Sequence, residues 1–200
     1  MKEYDVYGIG NALVDTEFEV TEDFLKEQSI EKGCMTLLDR KGHESLSKIL
    51  RQRYEVKTQS GGGSAGNSMY ALTQFGGKAF YSCKVANDPV GEYFLKELGH
   101  NNIETSRHLK NTGISGQCLI MVTPDAERTM NTYLGVSADL SINEIDLEAA
   151  KKSEYVYIEG FLVSSDSARK AIMELKNCAK KSDVKVALTF SDPAVVTHFK

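Results

Sequence analysis

Short β-prone runs alternate with amphipathic helical stripes along this chain, and the alternation limits the possible folds more than any other feature. One stripe has apolar residues at helical spacing from Ala65 to Phe75 and ends at a glycine pair. A strand–helix–strand rhythm is typical of a mostly parallel sheet with helices on both faces. We therefore predict an α/β fold with a doubly wound sheet, in which the last β-prone run, 184–190, is a buried strand.

A second group of strands interrupts this rhythm. The β-prone runs 117–123 and 128–133 are joined by Pro-Asp-Ala-Glu, a favourable sequence for a type I turn, so they predict an antiparallel hairpin. With strand-like pieces at 16–20 and 34–38, the hairpin would form a small sheet of its own. We expect a small antiparallel β lid, with strands at about 16–38 and 115–134, inserted in an α/β domain that extends over residues 1–200.

Two helix starts are indicated by capping residues. Thr21 precedes a short helical turn that begins at Glu22. Ser141 and Glu144 have the spacing of a capping box ahead of a helix that reaches about Lys151.

Composition excludes several classes of protein. The 24 Lys and Arg residues are outnumbered by 28 Asp and Glu residues, and a formal charge of −4 gives no attraction to nucleic acids or anionic membranes. No apolar run approaches the ~20 residues of a membrane span, and the N-terminus has no signal-peptide core. The 4 cysteines form no CxxC pair, so we predict reduced thiols and a cytoplasmic location. The histidines (His43, His100, His108 and His198) are scattered, so we predict that they are surface residues and that no metal site is present.

The first predicted strand ends in Gly8-Ile9-Gly10, the start of a dinucleotide-binding fingerprint. That fingerprint needs a glycine or alanine at position 13, where this chain has Leu13, so the dinucleotide interpretation is weak. Asn11 and Asp15 follow the strand, at the edge of an open α/β sheet where ligands bind. Their side chains can exchange hydrogen bonds with adjacent sugar hydroxyls, although Asp15 could equally cap a turn.

Three consecutive glycines, Gly61 to Gly63, lie directly before the helical stripe and form the most informative segment. They place unhindered backbone N–H groups at a helix N-terminus, which suits an anion or a polar ligand lying flat against the main chain. Ser64 is the expected N-cap, and Asn67 would point its amide back over the loop. The segment lacks the Lys-Ser/Thr of a Walker A loop, and a flexible loop with an ordinary cap is the alternative.

Three further residues are candidates for ligand contacts or for structural roles. Arg128 follows the predicted hairpin turn and could bind a phosphate bidentately or stay solvated. Glu159 ends a predicted parallel strand and could contact a substrate or cap a helix. Cys118, in a β-prone run, is interpreted as a small core residue.

Four segments occur in an order that resembles the PfkB (ribokinase-like) family of carbohydrate and nucleoside kinases. They are Gly-Ile-Gly-Asn-Ala-Leu-Val-Asp at 8–15, Gly-Gly-Ser-Ala-Gly-Asn-Ser at 62–68, Glu-Arg-Thr-Met at 127–130 and Ser-Asp-Pro at 191–193. The glycine segment is similar to the family's first signature. Its Asn-Ser ending, with the Gly-Asn-Ala of the first segment, resembles the adenosine kinase branch more than ribokinase itself.

The resemblance implies a ribokinase-like fold and transfer of the γ-phosphoryl group of ATP, with Mg²⁺, to a primary hydroxyl of a sugar or ribonucleoside. It further implies that Asn11 and Asp15 hold the ribose hydroxyls. Arg128 would belong to a lid motif near the path of the phosphoryl group. The full set of substrate-binding residues implied in this way is Asn11, Asp15, Gly62, Gly63, Ser64, Asn67 and Glu159.

The family's catalytic motifs lie in its C-terminal part. They are an Asn-x-x-Glu motif tied to magnesium and phosphate and a Gly-Ala-Gly-Asp motif with the anion hole and the general-base aspartate. This sequence stops at Lys200, before either, and contains no Gly-Ala-Gly-Asp. Because phosphoryl transfer depends on positioning and electrostatic stabilisation, we expect residues 1–200 to be the N-terminal, substrate-binding part of such a kinase, and to be inactive alone.

Other functions stay open at this point. A non-catalytic sugar- or nucleoside-binding module would keep the pocket without phosphoryl transfer, and a dehydrogenase would have to bind NAD. Within the kinase hypothesis, adenosine and a simple sugar are both candidates. An apolar slot over a purine could be made by residues that could equally be core, namely Leu13, Leu38, Leu134 and Phe161. We expect a small-molecule partner, and either a monomer or a homodimer formed through the β lid.

Overall fold

The computed structural model describes residues 2–106 and 111–199, which form two five-stranded sheets flanked by helices. The first sheet is parallel throughout, in the order β10-β9-β1-β5-β6. Its strands are β1 (Tyr4–Ile9), β5 (Ala79–Ser82), β6 (Ile103–Glu104), β9 (Ser153–Ile158) and β10 (Lys185–Leu188). This sheet confirms the predicted α/β class.

The second sheet, called the lid sheet below, has the order β3-β8-β7-β2-β4. Its strands are β2 (Leu13–Glu19), β3 (Met35–Leu37), β4 (Val56–Gly62), β7 (Gly116–Val122) and β8 (Arg128–Tyr133). The predicted hairpin is the antiparallel pair β7–β8, and β2–β4 is also antiparallel, whereas β2–β7 and β3–β8 are parallel. The lid sheet is therefore mixed. No local pattern predicted β4, because its residues are mostly polar and exposed and show no alternation.

Helices cover both faces of the parallel sheet and one face of the lid sheet. They are α1 (Glu22–Glu27), α2 (Arg40–Arg53), α3 (Ser64–Gln74), α4 (Pro89–His100), α5 (Leu147–Lys151), α6 (Asp166–Lys181) and α7 (Pro193–His198). Two 3₁₀ turns, Gly135–Asp139 and Gly160–Ser164, follow β8 and β9. No described helix is long and apolar enough to cross a membrane.

The two predicted helix starts have different outcomes. Thr21 caps α1 as expected, since its Oγ1 accepts a hydrogen bond from the Phe24 N–H at 3.2 Å. The prediction that a helix begins at the Ser141–Glu144 capping box is wrong. Glu144 does accept hydrogen bonds from the Ser141 N–H and hydroxyl, both at 2.8 Å, but these residues form a turn. The helix begins only at Leu147, because Asp146 accepts from the Ala149 N–H and is the N-cap.

Buried apolar side chains form three clusters that follow this layering. One, with Tyr7, Val156 and Leu175, lies between the parallel sheet and α6. A second, with Met69, Tyr81 and Phe94, lies on the opposite face beneath α3 and α4. The third, with Phe18, Leu50 and Met121, joins the lid sheet to α1 and α2. The lid therefore has a core of its own.

Two predictions about burial are wrong. The strand β10 forms at the edge of the parallel sheet, and Leu188 and Phe190 are 52% and 70% exposed, because no described residue covers this edge. His43, expected at the surface, is only 4% exposed, since the inner face of α2 packs it 5.9 Å from the Tyr133 ring. His100 is exposed as predicted. His108 and the side chain of His198 lie outside the described residues.

Candidate functional site

The carboxyl ends of β1 and β9 face the lid sheet across a cleft of about 290 Å³. The cleft contains seven of the eight residues that the sequence suggested, contributed by segments far apart in the chain. They are Asn11, Asp15, Gly63, Ser64, Asn67, Arg128 and Glu159. The eighth, Gly62, packs against Asp15 and lines an adjacent cavity. The structure thus brings the candidate residues together, and their ligand contacts stay a prediction.

Asp15 reaches the cleft because β2 alternates between two faces. Its neighbours Val14 and Thr16 are buried on the other side of the strand. The Asp15 carboxylate fits here because residue 62 is a glycine: a Cβ on Gly62 would lie 2.2 Å from Asp15 Oδ1. Burial raises the pKa of Asp15 to about 6, while the positive charge of Arg128 lowers it. The site therefore holds a partly desolvated carboxylate.

Glu159 is the most buried acid of the cleft, with 1% of its surface exposed. Its Oε2 accepts a hydrogen bond from the Asn11 N–H at 2.9 Å. Gly10 makes this contact possible, because a Cβ there would stand 2.0 Å from the same oxygen. Burial raises the pKa of Glu159 to about 7, although the backbone N–H groups of Asn11 and Ala65 lower it. The protein's own carboxylate thus lies at the first turn of α3, where the sequence suggested a ligand anion.

The glycine segment continues β4 into α3 by a sharp turn at Gly63. Its φ is +90°, and a Cβ would stand 2.3 Å from the Asn11 carbonyl oxygen. The prediction that Ser64 is the N-cap is wrong, because Gly63 occupies that position and Ser64 is the first helical residue. The Ser64 hydroxyl is buried and has no hydrogen-bond partner of normal geometry among the described residues. Asn67 is exposed on the next turn of the helix and lines the cleft.

Arg128 begins β8 and is exposed at the rim of the cleft. Met130 and Thr132 follow it on the same face of the strand, as the two-residue period requires. Among the described residues that line the cleft, Arg128 is the one with a positive charge. An arginine here can form two parallel hydrogen bonds to a phosphate or a carboxylate.

Several lining residues were missed or misplaced by the sequence. Leu13, Leu134 and Phe161 line the cleft as suggested, whereas Leu38 packs into the lid core and its neighbour Leu37, 57% exposed, lines the cleft instead. Cys118 is buried as predicted, but it also lines the cleft because it pairs with Asp15 across β2 and β7. Only the register of the strands could have revealed this.

The structure bears on two other kinds of site. The chain passes from β1 into β2, whereas the dinucleotide fingerprint requires a helix after the first strand. No group of three or more His, Cys, Asp or Glu side chains within 2–106 and 111–199 could hold a metal ion.

Known proteins are similar to this chain in sequence. A family model described as pfkB family carbohydrate kinase matches residues 43–198. The adenosine kinase of Saccharomyces cerevisiae is 29% identical to this chain in an alignment of 203 residues. The alignment covers 96% of this chain and 57% of that protein.

Solved structures agree with the family match. The adenosine kinase from Sinorhizobium meliloti is 32% identical, with a TM-score of 0.89, and the match covers 98% of this chain and 59% of that one. A probable sugar kinase from Rhizobium etli CFN 42 is 30% identical, with a TM-score of 0.90, and the match covers 100% and 59%. The chain thus spans more than half, but less than two thirds, of the length of these relatives. Because the family match extends over most of the sequence and the fold agrees throughout, the chain belongs to the pfkB family of carbohydrate kinases.

Proposed function

We propose that this chain is the substrate-binding part of an ATP-dependent kinase that phosphorylates a primary hydroxyl of a ribonucleoside, with adenosine as the first candidate. The observation that carries the proposal is a cleft lined by two chemically different sets of residues, both of which include residues of the lid sheet. The first set, called the polar wall, presents groups suited to a sugar, and the second, called the apolar wall, consists of apolar side chains. The relatives are named as adenosine kinases and a probable sugar kinase, and these names support the kinase class. Because the names differ in substrate, we base the choice of a nucleoside on the residues that line the cleft.

The polar wall has the groups that a ribose needs. The Asp15 carboxylate can accept hydrogen bonds from two adjacent hydroxyls, and the Asn11 amide can donate one and accept another. A hydrogen bond to a charged group is stronger than one between neutral groups, so Asp15 is the expected main contact. Gly63 and Asn67 close this end of the cleft. Glu159 holds the backbone of Asn11 in place.

The apolar wall favours a nucleoside over a simple sugar. It consists of Leu13, Met35, Leu37, Met130, Leu134 and Phe161. A free pentose or hexose carries hydroxyls around its ring and would leave them unpaired against such a wall, at a cost of about 1–3 kcal/mol for each buried group. A purine base presents flat apolar faces, which suit methionine, leucine and phenylalanine side chains. This wall therefore selects for a base attached to the sugar.

In the proposed reaction the hydroxyl oxygen of the substrate forms a bond to the γ-phosphorus of ATP. The bond from that phosphorus to the β–γ bridging oxygen breaks, ADP leaves, and the hydroxyl proton passes to a general base. We assign to Arg128, which lines the cleft, the role of stabilising negative charge on the transferred group. We assign neither the Mg²⁺ ion nor the general base to any described residue.

Calorimetric titration of the chain with adenosine, ribose and fructose tests the proposal. We expect adenosine to bind, the two sugars to bind far more weakly, and Asp15→Ala to weaken adenosine binding about 10- to 100-fold. Glu19→Ala is the matched control, since Glu19 lies on the same strand outside the cleft and its charge does not act on Asp15. Equal affinities of the wild type and Asp15→Ala, or tighter binding of a sugar, would contradict the proposal.

A further inference from the structure

Ser137 is a buried serine behind the cleft that none of the sequence motifs contains. It lies in the 3₁₀ turn Gly135–Asp139, directly after β8, and is 1% exposed. Its hydroxyl donates a hydrogen bond to Asn11 Oδ1 at 3.1 Å and accepts one from the Ala12 N–H at 2.9 Å. Both bonds are buried and join parts of the chain that are 125 or more residues apart. Ser137 therefore ties the end of the lid to the loop that carries Asn11.

These contacts determine how the Asn11 amide is oriented. The Ala12 N–H is a donor only, so the single hydroxyl proton of Ser137 is available to Asn11 Oδ1. Once Oδ1 is occupied, the amide nitrogen must point the other way. The Asn11 side chain also lowers the pKa of Glu159, whose carboxylate accepts a hydrogen bond from the Asn11 backbone N–H. The amide has two N–H groups, so at least one is left for a ligand in the cleft.

Ser137 is itself held rigidly. The Val136 N–H donates to the Ile114 carbonyl oxygen at 2.9 Å, just before Ser137. Just after it, the Lys84 ammonium donates to the Asp139 carbonyl oxygen at 2.9 Å. Lys84 also lies 3.4 Å from Glu144 Oε1, and the two side chains are only 16% and 8% exposed. Both ends of the turn are therefore fixed from outside the cleft.

We propose that Ser137 is a positioning residue for substrate binding, which fixes the Asn11 amide so that one N–H faces the sugar hydroxyls. The inference rests on the proposed function, in which Asn11 contacts the ribose. Ser137 itself does not touch the substrate. Its contribution is to pre-organise the amide, so that a ligand need not pay for orienting it.

Ser115 provides a closely matched control within the same chain. It too is 1% exposed, its hydroxyl accepts from a backbone N–H, that of Ala86, at 2.9 Å, and it donates to a side-chain oxygen, Asp88 Oδ1. Ser115 does not line the cleft. Replacing either serine by alanine removes the same chemistry, but only Ser137 is bonded to Asn11.

The test is a double-mutant cycle read by calorimetric titration with adenosine. We expect Ser137→Ala to raise the Kd about 5- to 20-fold, and Ser115→Ala to change it less than about twofold. In an Asn11→Ala background, Ser137→Ala should change the Kd less than about twofold, because the positioning effect passes through Asn11. Ser137→Thr, which keeps the hydroxyl, should recover most of the affinity. An unchanged Kd in Ser137→Ala, or an equal loss in the Asn11→Ala background, would overturn the inference.

A second readout separates this inference from the proposed function. The two side-chain N–H resonances of Asn11 report the orientation of the amide without any ligand. We expect Ser137→Ala to shift or broaden them, and Ser115→Ala to leave them in place. If wild type fails to bind adenosine while these resonances respond as expected, the proposed substrate is wrong and the positioning role stands. Unchanged Asn11 resonances in Ser137→Ala would overturn the positioning role whatever the chain binds.

Discussion

The two faces of the lid sheet differ, although the same strands build both. The face turned towards the helices is packed with Phe18, Leu119 and Met121, all at most 2% exposed. The face turned towards the cleft carries Asp15, Cys118, Met130 and Thr132. The parallel sheet has no such division, because helices cover both of its faces. Alternate residues of the lid strands therefore face the lid core and the cleft separately.

The largest expected effect on stability is at Gly63, the glycine that joins the lid sheet to α3. Gly63→Ala should lower the free energy of unfolding by at least about 3 kcal/mol, because a Cβ both enters a left-handed backbone region and meets the Asn11 carbonyl at 2.3 Å. Gly76→Ala is the control, since Gly76 has φ +86° and no described atom within 4 Å of an added Cβ. It should cost only about 1–2 kcal/mol. Urea denaturation measures both, and equal losses would show that the close approach is unimportant.

A pair of methionines separates the two faces of the lid. Met121→Ala, in the lid core, should lower the free energy of unfolding by about 2–5 kcal/mol and leave the affinity of the folded chain for adenosine nearly unchanged. Met130→Ala, in the cleft, should weaken adenosine binding about 2- to 10-fold and cost less than about 1 kcal/mol of stability. Urea denaturation of both variants measures the change in stability, and calorimetric titration measures the change in affinity. Parallel changes in stability and affinity for either residue would contradict the division.

Asp15, on the cleft face of the lid sheet, should lower the free energy of unfolding by an amount that depends on pH. The pKa of Asp15 is raised from 3.8 to about 6 in the folded chain, so ionising it costs more in the folded than in the unfolded state. This penalty is absent below about pH 4 and complete above about pH 6. Asp15→Asn should therefore be more stable than wild type at pH 7 by about 1–2 kcal/mol, since one pKa unit is about 1.4 kcal/mol and partial exposure reduces the effect.

Denaturation curves between pH 4 and pH 7 measure that penalty. The difference between Asp15→Asn and wild type should shrink as the pH falls, and Glu19→Gln at the far end of the same strand serves as the control, since its charge does not act on Asp15. A difference that stays constant over this range would exclude Asp15 as its cause.

The smallest expected effects concern two adjacent leucines, Leu37 and Leu38, at the end of β3. Leu37→Ala should weaken adenosine binding about twofold without a measurable change in stability, since Leu37 lies in the cleft and is largely exposed. Leu38→Ala should lower the free energy of unfolding by about 1–2 kcal/mol and leave the affinity unchanged. The reverse pattern would mean that the strand presents the opposite face to the cleft.

The sequence predicted the layers of this molecule better than it predicted the contacts between them. The helical stripes and the β7–β8 hairpin are local patterns, and local spacing was enough to find them. The strand β4 was missed because its polar residues owe their conformation to pairing with β2, which is distant in the chain. The burial of His43 likewise depends on which face of α2 meets β8.

The candidate site shows the same division. Its glycine-rich and acidic segments stood out in the sequence because glycine and buried-strand endings have local signatures. Whether Leu37 or Leu38 faces the cleft depends on the parity of a three-residue strand, and Cys118 enters the cleft through its register with Asp15. Ser137 belongs to no motif, and its proposed role rests on hydrogen bonds to residues more than 100 positions away. Such information exists only in the folded chain.

The central claim, that Asp15 binds the sugar hydroxyls of a nucleoside, is tested most directly by changing the ligand and the protein together. Wild type and Asp15→Ala are each titrated with adenosine and with 2′,3′-dideoxyadenosine. We predict that wild type loses about 10- to 100-fold in affinity when the hydroxyls are removed, and that Asp15→Ala binds the two ligands within about twofold of each other. If Asp15→Ala distinguishes the two ligands as strongly as wild type does, the hydroxyls are bound elsewhere and the account of this cleft is wrong.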